Sequence, residues 1–187
     1  MILLLIYLFL ALSISFLCSM LEAVLLSVPR SYIGVLLEQG SPSGKRLQRM
    51  KDDVDQPLAA ILTLNTFAHT LGAVGVGAEA TKLWGDAWVG LVSFVVTLLI
   101  LFVSEIIPKT LGAIHAKGLA PLAAWTIEVI IFLLRPLVAI CNWVSMWLSR
   151  GNQETPKISR EEVRSISKVA LEEGAIDESE SRVIRNL

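Results

Sequence analysis

Residues 87–109 read AWVGLVSFVVTLLILFVSEIIPK, and this stretch decides what kind of fold the chain adopts. Its first part, residues 87–103, contains no Asp, Glu, Lys or Arg. A helix needs about 20 mostly apolar residues to cross the hydrocarbon core of a bilayer, so residues 87–107 are predicted to span a membrane. The apolar run ends in a serine, a carboxylate and a proline, namely Ser104, Glu105 and Pro108.

The same length criterion predicts two further crossings on the N-terminal side. Residues 2–26 are almost uniformly apolar. Residues 57–81 qualify less cleanly, because their first half carries polar side chains and their second half is rich in Gly and Ala. Overall, 54% of the 187 residues are hydrophobic, which exceeds the usual content of a soluble domain. The net charge of -1 gives no reason to expect nucleic acid as a partner.

A fourth apolar region, residues 119–148, allows two interpretations. Arg135 and Pro136 divide it into two pieces that are each short for a span, so it forms either one kinked crossing or a belt lying at one membrane face. The positive-inside rule favours three crossings and a belt, with the N-terminus outside and the C-terminus cytoplasmic. Basic residues follow the first span, the third span and the fourth region: Arg30, Lys45, Arg46, Arg49 and Lys51, then Lys109 and Lys117, then Arg150, Lys157 and Arg160.

The chain is therefore predicted to be an all-α membrane protein with a cytoplasmic tail. Residues 1–150 form the transmembrane domain, residues 151–157 a linker, and residues 158–187 a helical segment. Ser159 and Glu162 match a helix-capping box at the start of that segment. Because the sequence ends within a predicted helix, we expect a further domain to follow.

Polar residues within the predicted spans mark a candidate site. Ionisable groups at bilayer depth cost roughly 2.5 to 3.5 kcal/mol each on insertion scales, so they usually face a cavity or a partner. Hydroxyl, amide and carboxylate oxygens are hard donors that suit Mg²⁺, Na⁺ or Ca²⁺. Helical spacing places these side chains on one face of each span: Ser15, Ser19 and Glu22, with Ser27 further along; Asn65, His69 and Gly72; and Ser104 with Glu105.

Each of these residues also has a structural interpretation. Single serines often bond the carbonyl four residues earlier in their own helix. Asn65 alone is compatible with bonding between helices, and His69 with a haem ligand or a packing residue. Gly72 is compatible with close helix contact, including contact across a dimer interface. Lys109 lies one turn after Glu105 and is expected to pair with it.

Three motifs together resemble a known family. SMLEAVLLS at residues 19–27, LNTFAHT at 64–70 and SEIIPK at 104–109 resemble the membrane domain of the CNNM/CorC magnesium transport proteins, also called the DUF21 domain. The tail, from Glu161 to Asn186, resembles the acidic helical segment that joins this domain to a pair of CBS modules. The family often has Gly in place of Ser104 and Asn in place of His69, so ion preference or hydration is expected to differ here.

The resemblance implies a homodimer in the plasma membrane with a Mg²⁺ site in each membrane domain. Carried over by motif, the ligands are Ser19, Asn65 and Glu105, with Ser27, Glu22 and Ser104 as lesser candidates. Family members are described as exporting Mg²⁺, with Na⁺ as a candidate exchange ion. Pro108 is expected to leave a backbone carbonyl near Ser104 without its donor, which adds another oxygen.

The sequence therefore predicts a magnesium transporter, and two other interpretations remain open. One is a membrane anchor or a Mg²⁺ sensor for a C-terminal regulatory domain, and the other is a haem or quinone protein using His69. No nucleophile, base and orienting group recur at spacings that indicate an enzyme. Acidic residues of the tail are a candidate sensor of cytoplasmic Mg²⁺, although a solvated linker explains them equally well: Glu161, Glu162, Glu172, Glu173, Asp177, Glu178 and Glu180.

Overall fold

The computed structural model describes residues 1–136 and Trp143, and this part of the chain contains helices and no strands. The second half of the predicted belt, the linker and the acidic segment lie outside the described residues. The helices are α1 (Ile2–Ser27), α2 (Arg30–Glu38), α3 (Pro42–Asp52), α4 (Asp55–Trp84), α5 (Val89–Leu99), α6 (Ile107–Ile114) and α7 (Ala116–Leu133).

The first two predicted spans are confirmed as the long helices α1 and α4. Helix α1 ends where Pro29 biases the preceding Val28 toward an extended conformation, with φ -66° and ψ 120°. Helix α4 ends at Gly85, whose φ of 81° suits a residue without a Cβ. Helix α1 is the centre of the fold, because it contacts α4, α6, α7 and the segment that precedes α6.

The third span contains an irregular turn at its polar end. Helix α5 continues into α6 through a π segment, Ile100–Ile106, in which backbone bonds reach five residues back. The Ile107 N–H, for example, bonds the Phe102 carbonyl. Pro108 follows at once and has no N–H to donate, so the regular bonding pattern cannot pass through it. The widened π turn carries Ser104 and Glu105, and such turns are common at functional sites.

Among the described residues, four helical stretches are long and apolar enough to cross a membrane. Three match the predicted crossings, and the fourth is α7, which has 18 residues and is the shortest. Helix α7 ends just before Arg135, where the sequence predicted a break. Its Glu128 forms an ion pair with Arg46 of the strongly polar helix α3. This pairing places the C-terminal half of α7 beside a polar helix rich in Lys and Arg.

Helices α1 and α4 pack closely because glycines on α4 face α1. A Cβ on Gly72 would collide with the Cβ of Ala11, and a Cβ on Gly75 would come within 2.6 Å of the Tyr7 ring. Small residues of this kind allow the helix backbones to approach. Gly72 thus allows close helix contact, as its position in the sequence suggested, and this contact lies within one chain.

Replacing Gly72 by Ala is expected to destabilise the fold, because overpacking typically costs about 1 to 3 kcal/mol. Gly77→Ala is the matched control, since Gly77 lies on the same helix and its Cβ would meet nothing within 4 Å. At Gly77 the intrinsic helix preference of Ala should raise the free energy of unfolding by about 0.5 to 1 kcal/mol. Thermal unfolding of the detergent-solubilised protein measures both. Equal unfolding temperatures for the two variants would contradict this packing.

Candidate cation site

The carboxylate of Glu105 lies between α4 and the π segment, and its side chain is only 22% exposed. The Asn65 amide donates a hydrogen bond from Nδ2 to Glu105 Oε1 at 3.0 Å. His69 Nε2 lies 3.7 Å from the same oxygen. Glu105 therefore faces polar groups of α4, as expected for an acid retained inside an apolar helix.

The second carboxylate oxygen of Glu105 is held by Lys109. The Lys109 ammonium lies 3.2 Å from Glu105 Oε2 and 3.3 Å from Glu22 Oε2, so one cation bridges two carboxylates. The Lys109 side chain is 45% exposed, whereas that of Glu22 is 21% exposed. Two carboxylates and one ammonium leave this group with one net negative charge.

A chain of hydroxyl contacts joins the three helices beside Glu105. Ser15 Oγ lies 2.6 Å from His69 Nε2 and donates to Ser104 Oγ at 3.0 Å. Ser104 in turn donates to the Ile100 carbonyl at 2.8 Å. Because Ser15 uses its single proton toward Ser104, His69 Nε2 must be the donor in the first contact. These bonds fix the orientation of α1, α4 and the π segment around the carboxylate.

Two buried oxygens beside Glu105 have no hydrogen-bond partner among the described residues. They are Ser19 Oγ and Asn65 Oδ1. Ser19 is 1% exposed, and its hydroxyl faces the Glu105 carboxylate without meeting the geometry of a hydrogen bond. An unsatisfied buried polar group costs about 1 to 3 kcal/mol, so such atoms indicate a missing partner. Both atoms can accept hydrogen bonds or coordinate a cation.

The donors present suit a hard cation that keeps part of its water shell. Mg²⁺ prefers oxygen ligands and sheds water reluctantly, so one or two carboxylates with a few further oxygens form a reasonable site. Within the described part of the chain, no three His, Cys, Asp or Glu side chains cluster as metal ligands.

The structure brings together most of the residues selected from the sequence. Pro108 is buried directly after the π segment. Ser27 is exposed at the end of α1 and makes no side-chain hydrogen bond among the described residues, so it lies apart from the others. The residues that meet are Ser19, Glu22, Asn65, His69, Ser104, Glu105 and Lys109.

One member of the cluster was underestimated from the sequence. Ser15 is fully buried and links His69 with Ser104, yet the motif resemblance begins four residues later, at Ser19. The available signal was its position on the same helical face, one turn before Ser19. That periodicity identifies the face of α1 but not the partner on another helix.

Comparison with known proteins gives a consistent result. The family model described as the cyclin M transmembrane N-terminal domain matches residues 5–180. A UPF0053 protein from Synechocystis, sll1254, is 32% identical over 91% of this chain and 49% of its own length. The UPF0053 inner membrane protein YfjD of Escherichia coli is 26% identical over 78% of this chain and 35% of its own length. The chain thus spans at most about half the length of these relatives.

These matches agree with the three motifs that surround the Glu105 cluster. The family model covers nearly the whole chain, including α1, α4 and the π segment that supply the cluster. The Synechocystis relative matches over almost the same extent. The chain therefore belongs to the CNNM/CorC family of membrane proteins, whose N-terminal transmembrane domain is also known as DUF21.

Proposed function

We propose that this chain is the membrane domain of a transporter that exports Mg²⁺, with the Glu105 cluster as its intramembrane binding site. Membership of a membrane-protein family supports a transport-related role in general. The observation that carries the specific proposal is the pair of unpartnered oxygens, Ser19 Oγ and Asn65 Oδ1, beside a largely shielded carboxylate. A hydrated divalent cation supplies the partner that these atoms lack.

Charge explains how the site accepts such an ion. At 4 Å, two unit charges interact by about 4 kcal/mol when the effective dielectric constant is about 20. The repulsion between Mg²⁺ and the Lys109 ammonium is twice as large at the same distance, which favours displacement of Lys109 when Mg²⁺ binds beside Glu105. Because Lys109 is partly exposed, its flexible side chain can move into water. With Lys109 displaced, Mg²⁺ neutralises Glu22 and Glu105 completely.

The net charge of the Glu22, Glu105 and Lys109 group favours Na⁺ as the exchange ion. A monovalent cation cancels the single net negative charge while Lys109 remains beside its two carboxylates. Mg²⁺ and Na⁺ therefore suit different positions of one side chain. Lys109 then acts as an internal counter-cation that holds the empty site together and competes with the transported ion.

The membrane orientation follows from the basic residues. We propose that the N-terminus lies outside and that the α2–α3 region lies in the cytoplasm. A plasma-membrane location is consistent with the relative YfjD, which is named an inner membrane protein. On this orientation Lys109 lies toward the cytoplasmic side, where Mg²⁺ enters. Homodimer assembly and a following CBS pair remain predictions from the resemblance. The sensor role of the acidic segment remains a prediction from its charges.

Two other functions receive less support. A haem ligand requires an imidazole nitrogen with a free lone pair, and the contact of His69 Nε2 with Ser15 at 2.6 Å leaves only Nδ1 for that role. A pure membrane anchor leaves the unpartnered oxygens of Ser19 and Asn65 unexplained. The same oxygens would serve a Mg²⁺ sensor, and ion flux through reconstituted liposomes distinguishes that role from transport.

Mg²⁺ is expected to protect the purified chain against thermal unfolding, and Na⁺ and Ca²⁺ are compared at matched ionic strength. At a concentration about 100 times its Kd, a ligand stabilises the folded state by about 2.7 kcal/mol. Glu105→Gln should abolish the protection, because the carboxylate charge is lost at nearly constant shape. Asn65→Ala should raise the Mg²⁺ concentration that gives the same protection by about tenfold or more.

Ser27→Ala is the matched control for these variants, since Ser27 is an exposed serine on the same helix as Ser19. It should leave Mg²⁺ protection unchanged. Undiminished protection in Glu105→Gln would place the ion elsewhere. Absence of Mg²⁺ protection in the unaltered chain would favour the anchor.

Lys109→Met is expected to tighten Mg²⁺ binding by about tenfold, because it removes the competing ammonium. The expected gain in affinity is smaller than the full Coulomb energy implies, because Lys109 is partly exposed and water screens its charge. Na⁺ binding should gain less, since a monovalent ion is repelled half as strongly. Titration calorimetry measures both affinities, with Lys117→Met as a control because Lys117 is an exposed lysine on α7. Weaker Mg²⁺ binding in Lys109→Met would show that the ammonium only supports the structure.

A further inference from the structure

A polar cavity lies away from the Glu105 cluster, between α3, the start of α4 and the end of α7. Its volume is about 350 Å³. Three arginines line it, one pair on α3 and one just beyond α7: Arg46, Arg49 and Arg135. Glu128 supplies a carboxylate and Gln56 an amide, while Ile131 and Phe132 contribute apolar surface.

The cavity carries an excess of positive charge. Glu128 forms an ion pair with Arg46, so three guanidinium groups and one carboxylate leave a net charge of two. Arg49 donates from Nε to the Lys45 carbonyl at 3.4 Å, and Arg135 lies 6.0 Å from the centre of the Phe132 ring. Neither contact neutralises a charge, and neither arginine forms an ion pair with a carboxylate in the described residues.

The two walls of this cavity differ in polarity. Helix α3 is strongly polar, whereas the α7 wall contains Ile131 and the Phe132 side chain, which is 71% exposed. Leu133, the next residue, is 70% exposed. An apolar helix against a basic polar helix is the arrangement expected at the boundary between hydrocarbon and headgroups. A ligand that fits both walls is amphiphilic and carries negative charge.

We infer that this cavity binds the phosphate headgroup of an anionic phospholipid from the cytoplasmic leaflet. Arg49 and Arg135 contact the phosphate oxygens, because guanidinium groups match phosphate geometry and charge. The acyl chains follow the exposed side of α7 past Phe132. Arg46 stays paired with Glu128 and keeps α3 joined to α7. This inference uses none of the residues of the Glu105 cluster and stands independently of Mg²⁺ transport.

Native mass spectrometry of the whole purified chain tests this inference with dioctanoyl phosphatidylglycerol and dioctanoyl phosphatidylcholine as probes. Phosphatidylglycerol should bind more tightly than phosphatidylcholine. A basic residue near a membrane surface contributes about a fivefold gain in affinity for anionic lipid, so Arg49→Gln with Arg135→Gln should weaken phosphatidylglycerol binding by about 25-fold. Lys117→Gln, at the opposite end of α7, should leave it unchanged. The pair Arg49→Lys and Arg135→Lys keeps both charges but loses the guanidinium geometry, so its affinity for phosphatidylglycerol should fall between those of the unaltered chain and the double Gln variant.

Several outcomes would overturn the inference. Equal binding of the two lipids would show that charge plays no role. If Lys117→Gln loses as much phosphatidylglycerol binding as the double Gln variant, the effect belongs to the surface charge in general and not to this cavity. Inorganic phosphate that binds as tightly as the lipid would identify a free anion as the ligand. If phosphatidylglycerol binds only after Glu161 and Glu162 are changed to Gln, the acidic segment of the chain itself is the occupant. Thermal unfolding of each variant verifies that loss of binding is not loss of fold.

Discussion

The need to compensate the Glu105 carboxylate inside an apolar span is the physical constraint that shapes this membrane domain. A carboxylate within an apolar span is costly unless it is paired and hydrogen-bonded. Lys109 and Asn65 each engage one of its oxygens, at 3.2 and 3.0 Å. The hydrogen bonding around the carboxylate is incomplete, because Ser19 Oγ and Asn65 Oδ1 have no partner among the described residues. The site is therefore stable enough to fold while retaining capacity for a cation.

The backbone geometry follows from the same constraint. Pro108 interrupts the helical bonding next to Glu105, and the π segment widens the turn that carries the carboxylate. Glycines of α4 permit close approach to α1, while Ser15 links α1 with His69 and Ser104. The polar cluster is thus held by apolar packing on one side and by hydroxyl bonds on the other. Neither arrangement alone would fix three helices around one carboxylate.

Much of this architecture could be predicted from the sequence, because the length of an apolar run and the cost of a charge are local properties. The spans were located to within a few residues, and Asn65 was expected to meet Glu105. Contacts between helices were less accessible, because periodicity gives the face of a helix but neither its depth nor its neighbour. For this reason the close contact expected of Gly72 could not be assigned to α1, and Ser15 was undervalued. The π segment was likewise seen only as a missing donor near Pro108.

The proposed function requires a divalent cation to bind beside Glu105. The direct test is anomalous diffraction from crystals soaked in Mn²⁺, which replaces Mg²⁺ and scatters X-rays anomalously. We expect one anomalous peak within coordinating distance of the Glu105 carboxylate and near Ser19 Oγ and Asn65 Oδ1, with the Lys109 ammonium moved away. Mn²⁺ bound only at other positions, with Lys109 still bridging Glu22 and Glu105, would contradict it.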